Sequence, residues 1–321
     1  MEILELARIN LLSPVVLAFV LGVIATLVKS DLEIPEPLVQ GLSIYLLLAI
    51  GIKGGAALSE AKLAEVAWPA VATLALGIAI PLACYVVLRR VRRMSASDSG
   101  AIAAAFGSVS VVTFIAASTL AQQRGTPPEG FMPALVAILE VPGILVALGL
   151  ASSAEHRREP WGEVLREMLF GQSIVCLLGG LVIGWVTGKP GLDEVAGFFV
   201  TPFKGALVLF LLELGMVAAK RLRDLRAAGP FLVGFGLVAA PVFGVAGVFA
   251  GQLAGLSPAG AAVMGAMAGS ASYIAAPAAV RAGLPDANPA YYLPLALGVV
   301  FPFNLTIGIP LYYELAKLTA R

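Results

Sequence analysis

The sequence predicts an all-α membrane protein of ten transmembrane helices, arranged as two inverted five-helix repeats in which helices 4 and 9 are interrupted and cross. Three observations predict it. The chain is 59% hydrophobic and 13% charged, whereas soluble domains carry about a quarter charged residues. Landmarks in its first half recur in the same order in its second. Two short polar breaks, Gly107-Ser108-Val109-Ser110 and Gly269-Ser270-Ala271-Ser272, interrupt apolar stretches 162 residues apart.

Apolar runs of about 17–25 residues, the length a helix needs to cross a bilayer, place spans at 11–28, 37–53, 66–88, 99–122, 131–152, 166–187, 196–219, 229–254, 259–281 and 290–316. Residues 1–154 form the first repeat, 155–165 a cytoplasmic connector, and 166–321 the second repeat. Met1–Asn10 carries Glu2, Glu5 and Arg8. It has neither the basic start nor the small-residue cleavage site of a secretory signal, so span 1 is expected to be retained.

The connections carry most of the charge, and its distribution orients the chain. Loops after odd-numbered spans hold thirteen Lys and Arg: Lys29, Arg89, Arg90, Arg92, Arg93, Arg157, Arg158, Arg166, Lys220, Arg221, Arg223, Arg226 and Arg281. The opposite side holds seven: Arg8, Lys53, Lys62, Arg124, Lys189, Lys317 and Arg321, with Lys204 counted on neither side. Basic loops stay in the cytoplasm, so the expectation is a multi-pass protein of the plasma (inner) membrane with both termini non-cytoplasmic. A site for an acidic partner or anionic lipid is the other reading of these loops. Trp68, Trp161, Trp185 and the pairs Tyr291-Tyr292 and Tyr312-Tyr313 fit interfacial anchoring.

The repeat is read from ordered landmarks. Residues 41–52, GLSIYLLLAIGI, align with 205–216, GALVLFLLELGM, at an offset of 164. Trp68-Pro69 then matches Gly229-Pro230, Pro81 matches Pro241, and the two breaks follow at 162. Gly125-Thr126-Pro127 matches Gly283-Leu284-Pro285, Pro133 matches Pro294, and Val141-Pro142 matches Phe301-Pro302. Five spans per repeat, an odd number, reverse the second copy in the membrane, as in many transporters.

A lipid-embedded backbone is interrupted only where the break is buried in protein or lines a cavity. Paired breaks in two halves therefore point to a transporter's binding site. The candidate substrate- and ion-binding residues are Gly107, Ser108, Ser110 and Thr113 at the first break, and Gly269, Ser270, Ser272 and Tyr273 at the second. A half-helix beginning after a break turns unpaired N–H groups and its positive dipole end to the cavity, which suits a small anion. Freed carbonyls and hydroxyls can hold a cation, with sodium expected near Ser110, Thr113, Ser270 and Ser272. Close helix packing by small residues is the competing reading for any single serine.

Three further residues are candidates for coupling. Glu140 and Glu213 are carboxylates at membrane depth, where the cost of charge makes a function the default; a protonated acid bonded to a neighbouring helix is the alternative. Asn304 either reaches the cavity or holds helices together. Lys204 either pairs with an acid or snorkels to the interface. Cys84 and Cys176 lack metal or redox spacing. His156, the single histidine, sits in a charged loop, so neither a His-clustered metal site nor a Ser-His-Asp triad is available in the membrane. An enzyme is not expected, nor a cofactor beyond sodium as a coupling ion.

Particular motifs carry a family resemblance: Gly51-Ile52-Lys53-Gly54-Gly55-Ala56, Ile307-Gly308-Ile309-Pro310-Leu311, and Ala278-Ala279-Val280-Arg281-Ala282-Gly283-Leu284-Pro285-Asp286-Ala287-Asn288-Pro289-Ala290. With ten spans in two halves, the chain resembles the sodium-dependent bicarbonate permeases first known from cyanobacteria. The resemblance implies a homotrimer, a mobile core built on spans 4 and 9, and import of a small anion, bicarbonate, with sodium by alternating access. Gly107, Val109, Ser110 and Thr113 match the family's first break, Ser270 and Ser272 its second, and Glu140 stands where the family has an aspartate. A nucleotide-binding regulatory partner of the PII type on the cytoplasmic face is also implied, although the segment between spans 5 and 6 is short. The chain departs from the pattern at Val111 and Val112, which replace a Gly-Ser pair, and at Tyr273, which replaces an aspartate. The alternative is a proton-coupled transporter of a small organic acid, with Glu140 or Glu213 as the proton carrier.

Overall fold

The computed structural model describes residues 11–155, 161–222 and 224–320. Met1–Asn10 with Arg8, the loop residues His156, Arg157 and Arg158, and Arg223 and Arg321 lie outside the described residues. The chain is helical, with no strand among the described residues. Seven helices there are long and apolar enough to cross a membrane.

The elements in chain order are α1 (Pro14–Leu27), α2 (Glu36–Glu60), α3 (Leu63–Val87, continued by a π-helical turn Leu88–Arg92), α4 (Ala96–Gly107), α5 (Val111–Gln123), α6 (Met132–Glu140), α7 (Pro142–Glu155), α8 (Trp161–Phe170), α9 (Gln172–Phe199), α10 (Phe203–Leu222), α11 (Leu225–Leu253), α12 (Pro258–Ala268), α13 (Ala275–Gly283), α14 (Pro289–Leu295), α15 (Phe301–Phe303) and α16 (Ile309–Thr319). The last three form one run, Pro289–Thr319, through π-helical segments at Ala296–Val300 and Asn304–Gly308.

Three of the ten expected spans are not among the seven long apolar helices. The first is the 14-residue α1, begun by Ser13, whose hydroxyl accepts from Val16 N, with Pro14 in the first turn. The ninth is split into α12 and α13 by the break. The seventh, α10, carries Lys204, Glu213, Lys220 and Arg221. Its expected start at residue 196 is also corrected. Residues 196–199 finish the short part of α9 that follows a kink at Gly188 (φ 62°, ψ −160°), and Pro202 follows Thr201, whose backbone it biases away from helix. Span 6 likewise does not begin at 166, because Gly171 is extended (φ −62°, ψ 147°) and ends the separate helix α8. The expected connector at 155–165 therefore runs into α8.

Exposed large apolar residues mark the helices that face outward. On α3 these are Trp68, Val71, Leu74, Ile78 and Leu82, and on α9 Val175, Leu178, Val182, Ile183, Trp185 and Val186. Such stripes match a lipid surface. By contrast, α4 buries all but Asp98 and α12 all but Pro258, as expected of helices apolar all round and enclosed by others.

Small residues set the closest helix contacts. Leu177 O and Gly180 of α9 leave no room for a side chain at Gly51 of α2, and Leu48 O and Ile52 N leave none at Gly180. On the other pair, Phe19 O and Val23 N of α1 abut Gly215 of α10, while Leu212 O and Met216 N abut Gly22. Elsewhere α4 packs on α3 and α7, and α12 on α11 and α16.

Candidate functional site

Both broken stretches are built alike. Ser95 caps α4 by accepting from Asp98 N at 3.0 Å. Ser257 caps α12 by accepting from Gly260 N at 3.1 Å. From these caps α4 runs 12 residues and α12 runs 11, about 17–18 Å at 1.5 Å per residue. That is just over half of a hydrocarbon core of about 30 Å. Each start is also tied to the loop that follows the other broken stretch. Asn288 N donates to Asp98 Oδ1 at 2.8 Å, and Ser257 N donates to Glu129 Oε1 at 2.6 Å.

The two breaks meet directly. Ser110 N donates to Ser270 Oγ at 2.9 Å, and Ser272 N donates to Ala105 O at 2.7 Å. Ser110 also caps α5, its Oγ accepting from Thr113 N at 3.2 Å and Thr113 Oγ1 at 3.0 Å. Ser270 Oγ donates back to Met267 O at 2.7 Å. Ser272 Oγ accepts from Ala276 N at 3.3 Å in the first turn of α13. Each hydroxyl thus satisfies backbone freed by the interruption, so packing and site readings coexist at one residue. Gly143 is required by proximity: a side chain there would overlap the Gly107 carbonyl. Helix α7 therefore lies directly on the first break.

Asn304 is buried and acts at the second break without lining the cavity. Its Nδ2 donates to Gly269 O at 2.7 Å, and its Oδ1 accepts from Tyr312 OH at 3.1 Å. Tyr312 OH also lies 3.0 Å from Ala240 O. The interhelical role expected as the alternative for Asn304 is the one seen.

Between the breaks lies a cavity of about 30 Å³, lined by Val109, Ser110, Val111, Val112, Ile115, Glu140, Ser272 and Tyr273. Ser43, Ser173 and Phe210 close it from α2, α9 and α10. Val111 and Val112 open α5, where amides lack intrahelical acceptors. Glu140 is 2% exposed, and its Oε2 has no partner. Tyr273 OH is buried beside Ser110 without a well-formed hydrogen bond, its ring edge-on to Phe301 at 5.7 Å. Ser108 Oγ is buried without a partner. A larger cavity of about 250 Å³ shares Ser43, Glu140 and Ser173 and extends to Gln172 and Arg281.

Of the expected residues, Gly107, Ser108, Ser110, Thr113, Gly269, Ser270, Ser272 and Tyr273 come together at the breaks, with Glu140 on the cavity wall. Glu213 does not join them. It lines a separate cavity of about 200 Å³ with Glu33, Glu36 and Lys220. Lys204 forms no ion pair among the described residues and shares a fourth cavity with Lys53. Ser43 and Ser173 were not anticipated, because lone serines in apolar helices carry no positional signal outside a repeat. Among the described residues no three His, Cys, Asp or Glu cluster as a metal site. A cation here would meet hydroxyl and carbonyl oxygens, with Glu140 as the one carboxylate.

None of the curated proteins compared matches the chain. The model of the Na+-dependent bicarbonate transporter superfamily matches residues 14–317, which span both breaks and the cavity between them, and the chain belongs to that superfamily.

Proposed function

We propose that this protein is a secondary active transporter importing bicarbonate together with sodium, its substrate held between the two serine breaks. The observation that carries this reading is the pair of reciprocal hydrogen bonds, Ser110 N to Ser270 Oγ and Ser272 N to Ala105 O, beside a cavity that holds a buried carboxylate. In this reading the α5 amides and serine hydroxyls receive the anion. Hydroxyl and carbonyl oxygens around Ser110, Thr113, Ser270 and Ser272 receive sodium, and Glu140 couples the two. The Na+-dependent family favours this over proton-coupled carriage of an organic acid.

Alternating access draws support from the contacts of an inverted repeat. The offset of 164 carries Leu48, Gly51 and Ile52 onto Leu212, Gly215 and Met216, and 158 carries Phe19 and Gly22 onto Leu177 and Gly180. Gly51 on Leu177 O is thus the counterpart of Gly215 on Phe19 O, and Gly180 on Leu48 O that of Gly22 on Leu212 O. Ten membrane passages in two inverted halves account for this correspondence, with α4–α5 and α12–α13 as the crossing, interrupted helices. One repeat-related body then rocks against the other about a central site. Assembly as a homotrimer and a PII-type regulatory partner belong to the same proposal; native mass spectrometry and a binding assay with such a protein test them.

Uptake of labelled bicarbonate into proteoliposomes tests the main reading. Accumulation driven by an inward sodium gradient is expected. Uptake indifferent to the gradient would remove sodium coupling, and no uptake would remove bicarbonate.

A further inference from the structure

A fourth cavity, of about 470 Å³, adjoins the break cavity across Ile115, a residue that lines both. It is walled by α2, α5, the last part of α9, and the starts of α6 and α10 with the segments leading into them, on the side away from the basic loops. Two cations face it, Lys53 of α2 and Lys204 of α10. Lys53 Nζ sits 5.3 Å from the centre of the Phe203 ring, and Lys204 is near enough to repel its charge. Neither lysine has an ion-pair partner among the described residues. The one carboxylate on the wall, Glu129, accepts from Ser257 N at the start of α12 through Oε1, where a helix dipole favours negative charge, and its Oε2 has no partner. On α5, the buried Ser118 hydroxyl has no partner.

Two unneutralised lysines on this face run against the positive-inside bias, so topology does not explain them. Close like charges repel, and low-dielectric walls focus their field into the cavity. An anion relieves the repulsion, and Ser118 offers it a hydroxyl. We infer that this cavity is an anion vestibule, in which Lys53 and Lys204 concentrate a small inorganic oxyanion before it passes Ile115 to the break cavity. The route to the break cavity rests on the transport reading above; the electropositive character of the vestibule does not.

The test uses the full-length protein in proteoliposomes, with Cys84→Ala and Cys176→Ala as background and Thr201→Cys as a reporter on the vestibule wall. Modification by an anionic methanethiosulfonate should outpace modification by a cationic one. The ratio of rates should fall on the order of tenfold in Lys53→Gln/Lys204→Gln and should shrink with added salt. Lys53→Arg/Lys204→Arg should keep it. A ratio unchanged by the double Gln substitution overturns the vestibule. The same double variant, with Thr201 intact, should raise KM for labelled bicarbonate severalfold and alter the maximal rate less. A lowered ratio with unaltered KM removes the vestibule from the substrate's route. A lowered ratio in a protein that takes up no bicarbonate leaves the anion vestibule standing and removes bicarbonate as the substrate.

Discussion

Ser110 shows how much of the site is carried by single hydroxyls. Its Oγ accepts from the Thr113 amide and hydroxyl while its own amide is held by Ser270. Ser110→Ala should therefore lower stability by about 1 kcal/mol, the usual loss for an N-cap, and reduce bicarbonate uptake at least tenfold. A thermal shift in detergent and initial uptake rates separate the two effects. Glu140 is buried at the cavity with an unpartnered oxygen. In the proposed mechanism Glu140→Gln keeps the fold and loses sodium dependence. Uptake that retained the wild-type response to sodium would remove Glu140 from coupling. Asn304 is different in kind, because it satisfies the Gly269 carbonyl from a neighbouring helix. Asn304→Leu should cost about 1–3 kcal/mol by stranding that buried carbonyl, read as a fall in melting temperature.

At the scale of elements, close approach of backbones decides the architecture. Helix α7 rests on the first break because neither Gly107 nor Gly143 has a side chain. Gly143→Ala should push α7 off the break, destabilise by about 1–3 kcal/mol as overpacking does, and abolish uptake. The glycine contacts between α2 and α9 and between α1 and α10 make a paired prediction. Gly51→Val and Gly215→Val, at equivalent positions, should lower the melting temperature by similar amounts; an effect from only one of them would count against equivalence. Much of this level was legible. The Ser-rich breaks, the proline landmarks and the 164-residue offset lie in the chain as printed, because interrupting a helix in lipid demands particular residues. The serine caps at Ser95 and Ser257, offset by the same 162 residues as the breaks, were an equally readable signal. They identify α4 and α12 as matched half-helices. Helix limits near α8, α9 and α10 were not legible, since Gly171 and Thr201-Pro202 divide runs whose hydropathy is continuous.

For the whole molecule, the basic loops imply an orientation that labelling can check. In intact cells Gln123→Cys, the last residue of α5, should react with an impermeant maleimide, whereas Pro285→Cys, in the loop after α13, should be protected. The opposite pattern would invert the topology and place the Lys53–Lys204 vestibule on the cytoplasmic face. The whole-molecule assembly of the site was only partly legible. The eight break residues do converge, and Glu140 joins them. Glu213, chosen because it is a carboxylate in an apolar helix, instead faces Glu33, Glu36 and Lys220. Burial cost marks an acid as unusual without saying which neighbours it meets.

By itself the sequence determined that this is a helical membrane protein, and where two of its helices must be interrupted. Those properties follow from local demands: hydrocarbon length, backbone hydrogen bonding, and the residues that tolerate a break. Only the tertiary structure decided that Ser110 and Ser270 bond across the breaks, that Asn304 serves the Gly269 carbonyl, that Ser43 and Ser173 close the cavity, and that Lys53 and Lys204 share one. Each depends on which faces of helices far apart in the chain are turned toward each other. Contacts among apolar helices are set by shape, at glycines such as Gly51, Gly107 and Gly143, and shape complementarity has no one-dimensional period.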